Sequence, residues 1–585
     1  MSVTDLVDVA SVLAEPHHDG SDAYVLERPK APGDRAVVQL RVPHASAADT
    51  VALRYVHDGE PRIVRAERDG ETENETVWRA SFPAPHRATR YRWLLAGGEI
   101  GYAWLNGLGA VTHDIPDDDD FVMLVGGDGP QWHLESVVYE IFPDRFASSG
   151  LILDAPDWAV RRDWDELPRG RGLGSQYELF GGDLRGVERH LDHIQSVGAN
   201  VIYLTPFFPA GSVHRYDSTS FEHVDPLLGG DEALASLLRA AHARGMRVIG
   251  DLTTNHVGIG HEWFAQHPDF FYRHGEKYDA WMGVPTLPTL NWGSDGLRAE
   301  MSRVARKWID FGLDGWRIDV ANMTGRHGDG DFAHDAARAL RDGVGDALLI
   351  AEHGHDFRHD LAGDGWNGAM NYSGFLRPVW WWLRDPGFAR DPFRADFPAP
   401  IFDGRQSVAS MRAFRAGVPW QSTLHSWTLL DSHDSPRFST VTRSRDKQLV
   451  GVGLQMTTPG VPMIFAGDEI GLEGEWGEDA RRAMPWDRRD EWDETLLTEY
   501  RRLIALRRAR PALARGGIRY VHVADDAIAY LRETPEEMLL CLASRAPHDP
   551  IRVPFRPLDT LYGDDAQNGV LPAGGPAFHV WRIHG

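Results

Sequence analysis

Val201-Ile-Tyr-Leu-Thr205, Arg247-Val-Ile-Gly-Asp251 and Gly315-Trp-Arg-Ile-Asp-Val320 are short apolar runs that each reach a polar residue, with helical sequence between them. Such runs read as strands buried on both faces, and strands alternating with helices read as a parallel sheet. Five more follow the same pattern: Val137–Ile141, Leu348–Glu352, Ala369–Tyr372, Thr428–Asp431 and Pro462–Ala466. Helical stretches at Asp231–Arg244, Leu297–Phe311 and His334–Asp342 lie between them. Eight strands with crossover helices predict an α/β fold, a closed (β/α)8 TIM barrel rather than an open sheet.

The gap from Asp251 to Gly315 is about twice a normal repeat and is rich in aromatic residues, so a subdomain is expected at about 257–297, over the barrel mouth. Upstream, short alternating segments such as Val37–Val42, Val77–Phe82 and Tyr91–Leu95 predict a β-sandwich. The acidic run Asp117–Asp120 that closes it reads as a solvated linker rather than a calcium site. Downstream, a helix at Glu491–Arg508 shows an apolar stripe at Leu496, Leu497, Tyr500, Leu503, Ile504 and Leu506, and Ala527–Leu531 and Met538–Leu542 predict a small C-terminal β-domain. The expected division is an N-terminal sandwich, carbohydrate-binding-like, over 1–128, the barrel over 129–512 and the C-terminal β-domain over 513–585. Trp380-Trp381-Trp382 reads as packing on the helix after strand 6.

The 585 residues carry 61 Lys plus Arg against 86 Asp plus Glu, a net charge of −25 that repels phosphate backbones and anionic lipid. Neither a nucleic-acid nor a membrane partner is expected. A single cysteine excludes an internal disulfide framework and a cysteine-ligated zinc cluster. The start of the chain lacks the basic and apolar regions of a leader, and no run is long enough to span a bilayer, so a cytoplasmic protein is expected. Aromatic residues make up 10% of the chain, with 21 Trp, enough for flat platforms facing an uncharged polar ligand such as a sugar.

Reactive residues of parallel barrels gather at the C-terminal ends of the strands. Here those ends offer Asp251, Asn255 and His256 after strand 3, Arg317 and Asp319 on strand 4, Glu352 and His353 after strand 5, and Asp431, His433 and Asp434 after strand 7. Each alone reads as a cap or a satisfied neighbour. Together they crowd ionisable groups into one mouth, an arrangement that costs stability and points to function. Arg317 and Asp319 are two apart on a strand and share a face, so the guanidinium keeps Asp319 ionised and nucleophilic. Glu352 follows an apolar run with no cation beside it in sequence, which favours a raised pKa and a proton donor. That contrast is the nucleophile and acid pair of a retaining glycosidase, with Asp434 left to bind ring hydroxyls. A metal hydrolase built from His256, His261, His353, His355 and His433 is the competing account; no HExxH pair supports it, and neither metal nor cofactor is expected. A serine hydrolase lacks its GxSxG elbow, and no phosphate-binding GxxxxGK[ST] loop occurs.

The segments DLTTNH (251–256), GWRIDVAN (315–322), AEH (351–353) and DSHD (431–434) resemble, in order, the four signature regions of the α-amylase family of glycoside hydrolases. VYEIFPDRF (138–146), FGGDLRG (180–186), GANVIYLTP (198–206), HRYD (214–217), MNY (370–372) and FAGDEIG (465–471) extend the likeness over about 130–490. The resemblance implies Asp319 as nucleophile, Glu352 as acid/base and Asp434 as transition-state stabiliser. It also implies sugar contacts from His256, Arg317 and His433, stacking from Tyr216, and structural roles for Asp251 and Asn255. Leu287–Asn291 is similar to a segment of the neopullulanase, cyclomaltodextrinase and maltogenic amylase group. That likeness implies cyclic or short maltooligosaccharides as substrates and a homodimer through the N-terminal domain.

Three departures fall on the acceptor side: Met323 where the group has a carboxylate, Gly354 where it has an aromatic residue, and Ser432 before His433-Asp434. The group likeness implies cleavage of α-1,4 bonds; the glycine opens room for a bent or branched substrate, which brings α-1,6 bonds and a cyclic maltosyl-maltose substrate in as further expectations. A transglycosylase or glucosyl isomerase using the same glycosyl-enzyme is the alternative outcome, and a sugar-binding scaffold without turnover is the reading from another class.

Overall fold

The computed structural model describes residues 14–151, 154–172, 174–394 and 397–584. The stretch read above for a leader lies partly in residues 1–13, outside them. The barrel strands are β1 (Val138–Ile141), β2 (Val201–Leu204), β3 (Arg247–Thr253), β4 (Gly315–Asp319), β5 (Leu348–Ala351), β6 (Gly368–Ala369), β7 (Trp427–Leu429) and β8 (Val461–Phe465). They pair in parallel in the order β6-β5-β4-β3-β2-β1-β8-β7. One parallel bridge between Met370 and Trp427 closes the seam between β6 and β7, and the Asn371 amide donates to the Trp427 carbonyl at 3.0 Å. Observed strands stop a residue or more short of the expected ends at β2, β4, β5, β6, β7 and β8. The polar residues there lie on the loops that follow.

The pleat of β4 decides what faces the lumen. Arg317 and Asp319 point inward, whereas Trp316 points outward and donates from its indole to the Ala305 carbonyl at 3.2 Å. Ala305 lies on α1 (Asp295–Phe311), capped by the Ser294 side chain and packed through Leu297, Met301, Val304, Ala305 and Trp308. The last barrel helix, α2 (Glu494–Ala509), buries the expected stripe except at Leu506. Arg507 is buried beside that stripe instead, because its guanidinium reaches the carbonyls of Met456, Gly460 and Leu513 at 3.1, 2.6 and 3.0 Å. Trp380, Trp381 and Trp382 are all buried, as packing residues should be.

Upstream of the barrel, a four-stranded and a six-stranded sheet enclose a core that includes Leu40, Leu53, Trp93 and Leu95. Downstream, a five-stranded antiparallel sheet runs between Gly517 and Ile583. The insertion after β3 holds a short helix (Glu262–Gln266) and a hairpin (Arg273–His274 with Lys277–Tyr278), and Thr289 returns to bridge His256. Among the described residues, no helix is long and apolar enough to cross a membrane.

The acidic run is not a solvated linker. Asp120 is fully buried, and Arg54 and Arg92 from adjacent strands pair with Asp117 and Asp120. Arg90 donates to the carbonyls of Asp117 and Asp118 at 3.1 and 2.8 Å. Arginines offset the charge of Asp117 and Asp120, although burial still pushes the Asp120 carboxyl up to about 7.

Candidate active site

Arg317 is the hub of the mouth and has no exposed surface. Its Nη1 donates to both oxygens of Asp251 at 2.8 Å and to Asp319 Oδ1 at 3.1 Å. Its Nη2 forms an ion pair with Glu352 Oε2 at 2.9 Å. The expectation that only Asp319 has a cation beside it is therefore corrected: one guanidinium touches both carboxylates. Glu352 Oε2 also accepts the Val320 amide at 2.7 Å. Val320 adopts φ +36°, a left-handed conformation that costs a β-branched residue about 1–3 kcal/mol. The strain is held where the chain turns from Asp319 to aim that amide at Glu352.

A second group of contacts carries the network to the β7 loop. Tyr216, from the turn after β2, donates to Asp251 Oδ2 at 2.9 Å and accepts from His433 Nε2 at 2.6 Å. Its ring lies nearly parallel to the His433 imidazole, at 11°. The other imidazole nitrogen of His433 bonds to Glu140, which is buried on β1. His433 Nε2 is also 3.2 Å from Asp434 Oδ2, and Arg481 pairs with Asp434 Oδ1 at 3.0 Å while donating to the His433 carbonyl at 2.7 Å. His256 sits at the edge, stacked on Trp281 of the insertion with centroids 5.0 Å apart.

All seven residues singled out from the sequence, Tyr216, His256, Arg317, Asp319, Glu352, His433 and Asp434, thus meet at one mouth. Burial, helped by repulsion from Glu352 and Asp251, drives the Asp319 carboxyl well above its ordinary range despite Arg317, which corrects the expectation that the guanidinium alone keeps it ionised. Burial and Asp434 push Glu352 up as well, against the pull of Arg317 and the Val320 amide. Two carboxyls so placed titrate as a pair that holds a proton into the pH range where an isolated carboxylate would be bare. Burial opposes a charge on His433, yet Asp434 and Glu140 hold it up to about 10, so it is cationic at neutral pH. Desolvation works against a charge on Asp434 too, but His433 and Arg481 keep it well below the carboxylate range. His256 is lowered to about 3 by burial and the neighbouring His214, and is a neutral hydrogen-bonding group.

Two histidines of the competing metal account, His261 and His353, are engaged elsewhere. His261 caps the short insertion helix, accepting the Trp263 amide at 3.2 Å, and His353 bonds Asp360 at 2.9 Å. Reading the sequence missed Glu140, Arg481 and Trp281 as members of the site. Glu140 carried a signal, as a single acid inside the apolar run Val138-Tyr139-Glu140-Ile141 needs a buried partner. Arg481 carried none, because it enters from a loop 47 residues beyond Asp434.

A (β/α)8 barrel with carboxylates gathered on one buried arginine at its strand C-termini is the architecture of a glycoside hydrolase. The model of the α-amylase catalytic domain matches residues 140–283 and 271–360. The chain is 31% identical over 502 residues to a cyclomaltodextrinase of Geobacillus thermopakistaniensis, covering 80% of each chain. It is 32% identical over 425 residues to neopullulanase 2 of Thermoactinomyces vulgaris, covering 68% of this chain and 67% of that one. Among solved structures it resembles the cyclic α-maltosyl-(1→6)-maltose hydrolase of Arthrobacter globiformis in complex with cyclic α-maltosyl-(1→6)-maltose, at 32% identity and a TM-score of 0.63, over 72% of this chain and 93% of that one. The chain belongs to the α-amylase family of glycoside hydrolases. Within that family it is cyclomaltodextrinase- and neopullulanase-like.

Proposed function

We propose that the protein is a retaining α-glucan hydrolase in which Asp319 attacks the anomeric carbon, Glu352 donates a proton to the leaving oxygen, and Asp434 binds ring hydroxyls as the sugar flattens. The observation that carries this is the placing of Asp319 and Glu352 on two nitrogens of one buried guanidinium. A shared cation keeps the pair close, and their repulsion stores the proton that the leaving group needs. Attack by Asp319 forms a glycosyl ester and expels the protonated alcohol; water, deprotonated by Glu352, then releases the sugar with its configuration restored. Cationic His433 and neutral His256 supply donors to the sugar, and Tyr216 offers its ring beneath it.

The substrates proposed are cyclic or short maltooligosaccharides cut at α-1,4 and, with them, α-1,6 bonds, cyclic maltosyl-maltose first among them. A Cβ placed on Gly354 meets nothing within 4 Å, which supports an open wall beside Glu352 wide enough for a bent ring. Proton NMR of the first product formed tests the stereochemistry: the α-anomer is expected, and a β-anomer would refute the mechanism. Digestion of cyclodextrins, pullulan, maltotriose, panose and cyclic maltosyl-maltose ranks the substrates, and inactivity on the last removes it. The proposal includes a homodimer made through the N-terminal sandwich, for which sedimentation equilibrium at micromolar concentration gives a dimer mass or overturns that part.

A further inference from the structure

The loop that follows Glu352 is short of packing where it borders the open wall. Phe357 and Leu361 are buried, but His355 and Asp356 are exposed and Gly354 has empty space where a side chain would sit. The outer part of the loop is held by polar ties. One comes from the barrel, where Ser373 Oγ donates to the Gly354 carbonyl at 2.7 Å. Another is internal to the mouth, where Asp360 accepts from His353 at 2.9 Å and pairs with Arg326 of the loop after β4.

The remaining ties come from the N-terminal sandwich. Arg358 donates to Asp119 at 2.8 Å while its Nε pairs with Asp356, so its guanidinium bridges the acidic run to the loop. Arg87 donates to the Gly363 carbonyl at 3.2 Å, further along the same loop. The acidic run is itself immobilised from the sandwich side by Arg54, Arg90 and Arg92. Asp119 also offers its carbonyl to the Gly107 amide at 2.9 Å. A charged anchor on a fixed sheet is thus aimed at the loop between the acid and the open wall.

From this geometry we infer that Asp119 and Arg358 are positioning residues: the N-terminal sandwich of the same chain sets the shape of the acceptor side by holding the loop 353–363. The inference rests on the reading of Glu352 as acid/base and adds a role for the sandwich within its own subunit. Losing the tie leaves the donor side untouched, because Asp319, Arg317 and Asp434 are held by other elements. It loosens only the part of the site that meets the sugar beyond the scissile bond.

Asp119→Asn tests this with two substrates: the oligosaccharide the wild-type enzyme turns over best, and α-maltosyl fluoride, whose leaving group is too small to occupy the acceptor side. The expected result is a KM for the oligosaccharide raised about two- to fivefold, the size set by one partly exposed ion pair, with the fluoride KM unchanged. Asp119→Glu should restore the wild-type value. Raising salt from about 0.05 to 0.5 M should raise the oligosaccharide KM of the wild type but not of Asp119→Asn, since the pair is screened in one and absent in the other. Equal effects on both substrates, or none on either, would overturn the inference. A Glu352→Gln variant that keeps the wild-type rate on the oligosaccharide would instead refute the reading of Glu352 on which it stands.

Discussion

Arg317→Lys separates charge from geometry at the hub. Lysine keeps the cation but concentrates it in one ammonium, which cannot face Asp251, Asp319 and Glu352 at the distances of 2.8, 3.1 and 2.9 Å that the guanidinium spans. Asp251 lies directly opposite Arg317 across β3 and β4 and should retain the shorter side chain, leaving Asp319 and Glu352 short of at least one charge-assisted contact. Such a contact is worth about 1.5–3 kcal/mol, and one pKa unit is about 1.36 kcal/mol, so the shared proton should be held about one to two units higher. The sign follows from the loss of a nearby cation, which favours the protonated carboxyl. Nucleophilic attack then requires a higher pH: the acid limb of kcat/KM should move up by about one to two units, with at least a tenfold loss on its acid side. The assay is initial-rate hydrolysis across pH, with circular dichroism to establish that the variant is folded. A folded Arg317→Lys enzyme with an unshifted acid limb would refute the argument that this guanidinium sets the titration of the pair.

Gly354→Trp should fold with stability within about 0.5 kcal/mol of the wild type, because the new Cβ meets nothing and the backbone there is ordinary. It should lose activity on a branched or cyclic α-1,6-containing substrate more than on maltotriose, as compared by kcat/KM on the two. Arg481→Met removes the partner at 3.0 Å from Asp434 and leaves Glu478 to Arg145 alone; kcat should fall about tenfold or more with KM less affected, and equal kcat would count against a role in holding Asp434. His18 and His425 are buried and lowered to about 4, chiefly by burial. The unfolded chain takes up protons first, so their contribution to stability is present above about pH 6.5 and is lost as pH falls through the interval to 4. Thermal unfolding followed from neutral to acid pH should show that decline, and a flat profile would refute it.

Six of the seven expected site residues follow from the rule that barrels react at the C-terminal ends of their strands, and Tyr216 follows from the order of motifs. What the chain did not disclose is register. Arg317 and Asp319 share a face by counting alone, yet the neighbour that changes the chemistry is Glu352, on a different strand. Its contact exists because β4 pairs with β5 so that Arg317 stands opposite Ile350, and Glu352 lies two residues further along the same face. That offset is fixed only when the barrel closes. The acidic run Asp117–Asp120 failed for a related reason: four like charges in sequence argue for solvent until Arg54 and Arg92 arrive from strands far upstream and Arg358 from the barrel. In both places a group read as isolated is bridged by an arginine distant in sequence. The first sets two carboxyls, both raised, on one guanidinium, and the second ties a flanking domain to the loop after Glu352.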